Sequence, residues 1–174
     1  MALRDILIAP HPKLKTKAEP VATVDDGVRR LLDDMFETMY AAPGIGLAAP
    51  QVGVMQRVVV IDVADKESPP QPLALVNPEI VARGEDKVVA EEGCLSLPEI
   101  YADVERHARV FVRFTDRDGE LREMDADGLL ARCLQHELDH VDGVLFVDHL
   151  SALKRKMLMR KLAKLQREKE RQTA

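Results

Sequence analysis

The chain has 174 residues and a formal net charge of −5, with 46% hydrophobic and 32% charged side chains, a composition typical of a soluble globular protein. Two cysteines cannot form a disulfide framework, and the apolar run at residues 6–9 is too short for an export signal or a membrane span. We therefore expect one domain over residues 1–174, in the cytoplasm, with neither membrane nor DNA as a partner.

The first predicted helix follows an extended arm. Prolines at positions 10, 12 and 20 prevent a regular helix within residues 1–22. After a helix start at Thr23, apolar residues recur at the i, i+3, i+4, i+7 spacing of an amphipathic helix. We expect this helix to end near Ala42 and to pack against the core with one set of side chains: Val28, Leu31, Leu32, Met35, Phe36, Met39 and Tyr40.

Residues 43–53, PGIGLAAPQVG, form a loop of unusual composition. The loop is rich in glycine and proline yet almost wholly apolar, whereas surface loops are ordinarily polar. Glycine allows a backbone to approach a ligand closely, so this is a candidate binding loop. Gln51 is its one side chain that both donates and accepts hydrogen bonds. The alternative is a buried tight connection in which Gln51 satisfies backbone groups.

The middle of the chain has the pattern of strands. β-branched residues predict a strand at 57–63, two short strands at 73–76 and 79–82 on either side of Asn77-Pro78, and another at 87–90. An alternating segment within 104–115 returns at 121–124 through Asp118-Gly119, which is a hairpin signal. We therefore expect strand pairing across this turn.

Residues 135–143, QHELDHVDG, contain an HExxH motif within a predicted helix. His136 and His140 lie on one face of that helix, where two imidazoles can bind one metal ion. Glu137 lies beside them, within reach of a water on that ion. The alternative is an amphipathic helix that carries two histidines without a metal, because the motif is short enough to occur by chance.

Cys94 is the candidate for a third ligand. A thiolate with two imidazoles suits a transition metal, and three protein ligands leave the open position that marks a catalytic site. The alternative is a buried free cysteine. Cys133 competes for the role, but it lies three residues before His136 on the same helix, where three donors would crowd one side. We therefore expect Cys133 to form an apolar wall of the same cavity.

Three motifs, in this order, resemble the signature motifs of bacterial peptide deformylases: GIGLAAPQ at 44–51, EGCLSLP at 92–98 and QHELDH at 135–140. The resemblance implies an α+β fold with antiparallel sheets packed around a central metal-binding HExxH helix. It implies removal of the N-formyl group from the formylmethionine that begins newly made peptides, with release of formate. The family's native ion is generally Fe²⁺, and the donor set also accepts Zn²⁺, Ni²⁺ or Co²⁺.

The resemblance also implies the chemistry of individual residues. The metal ligands would be Cys94, His136 and His140. Glu137 would be the general acid/base. The Gln51 side chain and the backbone N–H of Leu95 would polarise the formyl oxygen and hold the oxyanion that develops from it.

The substrate would lie along the glycine-rich loop as an added strand. By the same resemblance, backbone groups of Ile45, Gly46 and Gly93 would form hydrogen bonds with an extended peptide. A pocket lined by Ile45, Leu129 and Cys133 would accept the unbranched thioether side chain of methionine.

Two residues depart from the pattern of better-known deformylases. Tyr101 and Arg132 stand where those proteins often carry arginine and an aliphatic residue, and we expect both near the groove, where they affect substrate preference. Glu92 and Arg106 match a family pair that could form a buried ion pair bracing the cysteine segment, and two unrelated surface charges are the alternative. We expect the histidines at positions 11, 107 and 149 to be ordinary surface or core residues.

Two other functions fit parts of the sequence. A zincin-type HExxH peptidase is one, but Phe146 occupies the last position of the longer metzincin motif, and the glutamates after the HExxH motif all lie in a basic tail. A non-catalytic ribosome-binding relative is the other, although such a protein would be expected to lose Glu137 or Cys94, and both are present.

The C-terminal segment is strongly basic. From Lys154 to Arg171 there are nine Lys or Arg and two Glu, a net charge of 9 − 2 = +7, which leaves −5 − 7 = −12 on the rest of the chain. We expect a helix over about 151–171, which beyond Leu165 either projects or folds down, with an apolar stripe that packs on the body: Leu150, Leu153, Met157, Leu158, Leu162 and Leu165. Its basic surface would contact the ribosome, or fold onto the acidic body.

Overall fold

The computed structural model describes residues 2–173. Within them the fold is α+β, with all five strand pairings antiparallel, as the resemblance implied. The helices and strands follow in chain order: α1 (Asp26–Ala41), β1 (Gly46–Ala48), β2 (Val58–Ile61), β3 (Leu73–Arg83), β4 (Lys87–Cys94), β5 (Leu97–His107), β6 (Arg109–Thr115), β7 (Leu121–Asp127), α2 (Gly128–Val141) and α3 (Ala152–Thr173).

Five of the strands form one sheet in the order β1-β2-β3-β6-β7, while β4 and β5 form a separate hairpin. The prediction of two short strands around Asn77-Pro78 is wrong, because β3 is continuous, with an irregularity in its register between Val76 and Glu79. Asn77 has φ +50° there, and its side-chain amide exchanges two 2.8 Å hydrogen bonds with the backbone of Val21. Tertiary hydrogen bonds therefore hold the irregular residue inside the strand.

The two faces of the sheet are covered by different helices. All four residues of β2 are buried, and successive side chains of a strand point to opposite faces. Val58 and Val60 pack with the residues of α1, whereas Val59 and Ile61 pack with those of α2. Helix α1 begins at Asp26 and not at Thr23, because the Asp25 side chain caps it by accepting a hydrogen bond from the Val28 N–H at 2.9 Å.

A third core lies between β5, helix α3 and the chain before α3. It includes Leu97, Ile100 and Phe146, together with Leu162 of α3. The predicted apolar stripe of α3 is partly wrong, since Leu153 and Met157 are 70% and 60% exposed. Leu158, Leu162 and Leu165 face the core. In the described part of the chain, no helix has both the length and the apolarity that a membrane span requires.

Candidate active site

One groove is lined by the residues with predicted functional roles, except His140, which lies beside it with Cys94 and His136. It has a volume of about 630 Å³ and lies between the loop before β1, the β4–β5 turn and helix α2. The predicted substrate-binding residues all line it: Ile45, Gly46, Gly93, Leu129 and Cys133. The predicted oxyanion residues Gln51 and Leu95 line it as well, as does Glu137. A second cavity of about 660 Å³ lies beside α1 and contains none of these residues.

The three predicted metal ligands converge beside the groove. Their donor atoms, from Cys94, His136 and His140, all lie within 4.8 Å of one another, and the Cys94 Sγ is 3.3 Å from the His140 Nε2. The two histidines come from adjacent turns of α2, while Cys94 ends β4. Burial lowers the pKa of His140 well below its ordinary value, so this imidazole is neutral, as metal ligation requires.

The ion pair between Glu92 and Arg106 is confirmed. Both side chains are 5% exposed, and two hydrogen bonds of 2.9 Å join them. The Glu92 carboxylate also lies 2.9 Å from Nδ1 of His136, which leaves Nε2 of that ring facing the cluster. Burial would raise the pKa of Glu92, but the hydrogen bonds from Arg106 and His136 outweigh it and hold that pKa far below its ordinary value.

Two further residues join this network, and the sequence interpretation missed both roles. His149, expected to be ordinary, has its Nε2 2.7 Å from Asp139, which in turn accepts a 2.6 Å hydrogen bond from Arg106. Arg132 lines the groove as expected, and it also donates to the carboxylate of Glu92. The i, i+4 spacing of Arg132 and His136 on α2 is a signal that could have placed Arg132 beside Glu92, whereas no local pattern marks His149.

Glu137 is a buried carboxyl group next to the cluster. Its side chain is 2% exposed, and Oε1 lies 3.7 Å from Nε2 of His136. Among the described residues, its Oε2 has no hydrogen-bond partner. Burial raises the pKa of Glu137 to about 7. A carboxyl group with this pKa can accept and return a proton near neutral pH.

Gln51 is buried at the base of the groove with a fixed orientation. Its Oε1 accepts a hydrogen bond from the Ala48 N–H at 2.9 Å, which identifies Nε2 as the end that faces Cys94 and Ser96. Nε2 lies 3.1 Å from the Ser96 hydroxyl and 3.6 Å from the Cys94 sulfur. Gln51 thus satisfies a backbone group, as the alternative interpretation expected, and also presents an N–H₂ group to the cluster.

The loop before β1 offers an open strand edge to the groove. In the described sheet β1 is a terminal strand that pairs with β2 alone, so its other edge can bind an extended peptide. Ile45 and Leu129 are 43% and 52% exposed there. Burial raises the pKa of Cys133 well above its ordinary value, so its thiol stays protonated and acts as part of the apolar wall.

The end of α3 reaches the same groove. Lys169, four residues beyond Leu165, is among the residues that line it, together with Ile6 and Ile8 of the N-terminal arm. Of the two alternatives for the helix beyond Leu165, the structure therefore favours the one in which it folds onto the body. The contacts of Leu158, Leu162 and Leu165 with the core hold the helix along β5.

Known proteins resemble the chain over nearly its whole length. A family model described as polypeptide deformylase matches residues 3–156. The peptide deformylases of Alkalilimnicola ehrlichii and Phenylobacterium zucineum are 59% and 56% identical to it, covering 97% and 94% of this chain and 93% and 97% of their own. The crystal structure of a peptide deformylase from Legionella pneumophila superposes with a TM-score of 0.91 at 49% identity, covering 98% of this chain and 99% of that one.

Proposed function

The chain belongs to the peptide deformylase family, whose members remove the formyl group from N-terminal methionine, and we propose that the residues gathered in the groove carry out this hydrolysis here. The observation that supports these roles is the convergence, within and beside one groove, of three metal-ligand side chains, a buried carboxyl group and an oriented amide. They come from three separate motifs of the sequence, with Gln51 in the first, Cys94 in the second, and His136, Glu137 and His140 in the third.

Cys94, His136 and His140 would hold the metal on which this family depends. Their chemistry fits a divalent transition ion, because one sulfur and two imidazole nitrogens converge and Glu92 holds the far nitrogen of His136. When bound, such an ion supplies a Lewis acid that polarises a carbonyl group and lowers the pKa of water. We propose Fe²⁺ as the native ion, with Zn²⁺, Ni²⁺ or Co²⁺ accepted by the same donors.

Glu137 and Gln51 would act on the reacting atoms directly. Glu137 takes a proton from the water that attacks the formyl carbon, and returns it to the nitrogen of the leaving amine as the C–N bond breaks and formate departs. Gln51 Nε2 and the backbone N–H of Leu95 donate hydrogen bonds to the oxygen on which negative charge develops. The hydrogen bond from Ala48 N–H supports this role of Gln51, because it fixes the amide before substrate binds.

The open edge of β1 would bind the peptide backbone. Ile45, Gly46 and Gly93 would supply its hydrogen bonds. The methionine side chain would occupy the pocket formed by Ile45, Leu129 and Cys133. The exposure of the two aliphatic side chains supports this, because contact with an apolar ligand would remove them from water.

We further propose that residues 1–174 form one domain with the metal-binding helix α2 at its centre. Its contacts support this, since α2 packs against strands of the sheet and also against β5 of the hairpin. We also propose a cytoplasmic location, with neither membrane nor DNA as a partner, because nascent formylated peptides are made there.

The test is formate release from a formyl-Met tripeptide by protein purified without oxygen, with metal content measured on the same sample. We expect formate release that requires the metal, and no cleavage of azocasein. Cys94→Ser is the matched variant, because it replaces one donor with a poor one and keeps the side-chain shape. Azocasein cleavage without formate release would instead favour the zincin-type peptidase, which the comparisons do not favour.

Helix α3 would contact the ribosome. Six basic residues and no acidic residue lie between Lys154 and Lys164, and all six are exposed. Contact with ribosomal RNA phosphates would release counterions, so binding should weaken steeply as salt rises.

Ribosome co-sedimentation at two salt concentrations tests this contact. We expect a variant with Arg160, Lys161 and Lys164 changed to Gln to lose low-salt binding. The matched control changes three arginines of the sheet surface to Gln: Arg109, Arg113 and Arg122. These changes are preferable to a truncation, which would also remove Lys169 from the groove. Equal pelleting of the two variants would show that α3 is not the contact.

A further inference from the structure

The hairpin that carries Cys94 is held on α2 by side chains. Strands β4 and β5 pair with each other and with no strand of the five-stranded sheet as described. The position of Cys94 relative to the histidines therefore depends on contacts between the hairpin and α2, together with the packing of β5 on α3 and the hydrogen bonds of Ser96 with Ala9 and Gln51. Two charged contacts come from the family pair, one from Glu92 to His136 and one from Arg106 to Asp139.

Arg132 of α2 makes a third charged contact, which reaches both strands of the hairpin, in addition to the hydrogen bonds of Gln135 with the His107 backbone. Its Nη2 donates to the Val88 carbonyl on β4 at 2.6 Å, and its Nη1 donates to the Val104 carbonyl on β5 at 3.0 Å. Nη1 also donates to the carboxylate of Glu92. The Arg132 side chain is 12% exposed. One planar guanidinium group thus joins α2 to three acceptors on the hairpin.

We propose that Arg132 is a positioning residue that fixes the β4–β5 hairpin on α2 and thereby keeps Cys94 in register with His136 and His140. This inference rests on the proposed function of that cluster. Arg132 also balances the charge of the network. Together with Arg106 it supplies two positive charges for the two carboxylates, those of Glu92 and Asp139.

The alternative role for Arg132 is to bind an acidic group of the substrate in the groove. Both terminal nitrogens of its guanidinium already donate to protein acceptors, as described above. A substrate carboxylate would have to displace these bonds. The geometry therefore favours a role in holding the metal ligands over a role in substrate recognition.

The test is the affinity for Co²⁺, measured without oxygen by competition with a chelator. We expect Arg132→Met to weaken Co²⁺ binding by about 10- to 100-fold, the range typical for loss of a group that supports metal ligands. The value of kcat should fall while KM for a formyl-Met tripeptide stays within about twofold, because Arg132 does not bind substrate.

Arg132→Lys separates geometry from charge. A lysine ammonium is a compact point charge and cannot reproduce the planar fork of donors, so we expect Arg132→Lys to bind Co²⁺ nearly as weakly as Arg132→Met. It also carries the test if Arg132→Met does not fold. The matched control is Arg113→Met, which removes an arginine paired with two carboxylates, Glu79 and Glu123, on the surface of the sheet.

Parent-like Co²⁺ affinity in Arg132→Lys, or in a folded Arg132→Met, would overturn the positioning role. A raised KM with unchanged kcat and Co²⁺ affinity would overturn it too, in favour of substrate recognition. Failure of the proposed function gives a different result, because the parent protein itself would then show no Co²⁺ affinity at the cluster, and the positioning role would fall with it.

Discussion

A substitution at position 46 tests how the groove positions Glu137, the proposed acid/base. A methyl group added by Gly46→Ala would lie 2.8 Å from the Cys133 Sγ, and 2.9 and 3.0 Å from Cγ and Cδ of Glu137. Ordinary van der Waals contact begins at about 3.4 Å. The two neighbouring side chains are 5% and 2% exposed, so neither can move aside into solvent. Glu137 must therefore shift by roughly half an ångström or more.

The expected magnitude follows from this crowding. Overpacking of a core costs about 1–3 kcal/mol, which for a chain of this size lowers Tm by about 2–12 °C. A displacement approaching 1 Å at a catalytic group costs about 10²-fold in rate. We therefore expect Gly46→Ala to lower kcat about 100-fold while metal stays bound, because none of the proposed metal ligands is among the three atoms nearest to the new methyl group.

The assay is formate release, with Tm and metal content measured on the same samples. Gly27→Ala is the control, because its methyl group meets only the N-cap carboxylate of Asp25 at 3.3 Å and the Arg30 side chain, outside the groove, so it can lower Tm but should leave kcat unchanged. The double variant Gly46→Ala/Cys133→Ala removes the sulfur contact and keeps the two contacts with Glu137. Its Tm should partly recover while kcat stays low. A kcat within about threefold of the parent for Gly46→Ala would refute the reasoning.

Three further predictions concern the chemistry of the site. Glu137→Gln should lower kcat by about 10²- to 10⁴-fold, because it removes the proposed acid/base. Its metal content should be unchanged, because Glu137 is not a proposed ligand, and a variant that has lost metal would contradict this. Gln51→Leu should lower kcat by about 10²- to 10³-fold, whereas a change confined to KM would show that Gln51 only positions substrate. The activity of the Fe²⁺ form should decay in air as the metal and Cys94 oxidise, whereas the activity of the Ni²⁺ form should persist. Full activity of metal-free protein would exclude the metal from the reaction.

Features governed by local spacing could be predicted from the sequence. The apolar periodicity of α1 predicts that Met35 and Met39 are core residues, and both are fully buried. The i, i+4 spacing of His136 and His140 similarly predicts a shared helix face. Cys94 was predicted from donor chemistry and motif order, and it lies with the histidines.

Features governed by tertiary contacts could not be predicted in the same way. Asn77-Pro78 indicates a break between strands, but hydrogen bonds to Val21 keep the residue within β3. The apolar pattern of α3 fits more than one helix face. The face that packs against the core carries Leu158, Leu162 and Leu165, whereas Leu153 is exposed.

The contacts missed by the sequence interpretation, those of Arg132 and His149, lie in the network around the proposed ligands. A metal ligand must be one of a few residue types at a restricted spacing, so a motif can identify His136 and His140 as the proposed ligands. A supporting side chain needs only a suitable donor at the right distance, and the fold can bring it from any segment. His149 is such a case, because it reaches Asp139 from a 3-10 turn beyond α2. Sequence motifs therefore identify the groups proposed to react, whereas the contacts that hold these groups, such as those proposed for Arg132, join segments far apart in the sequence.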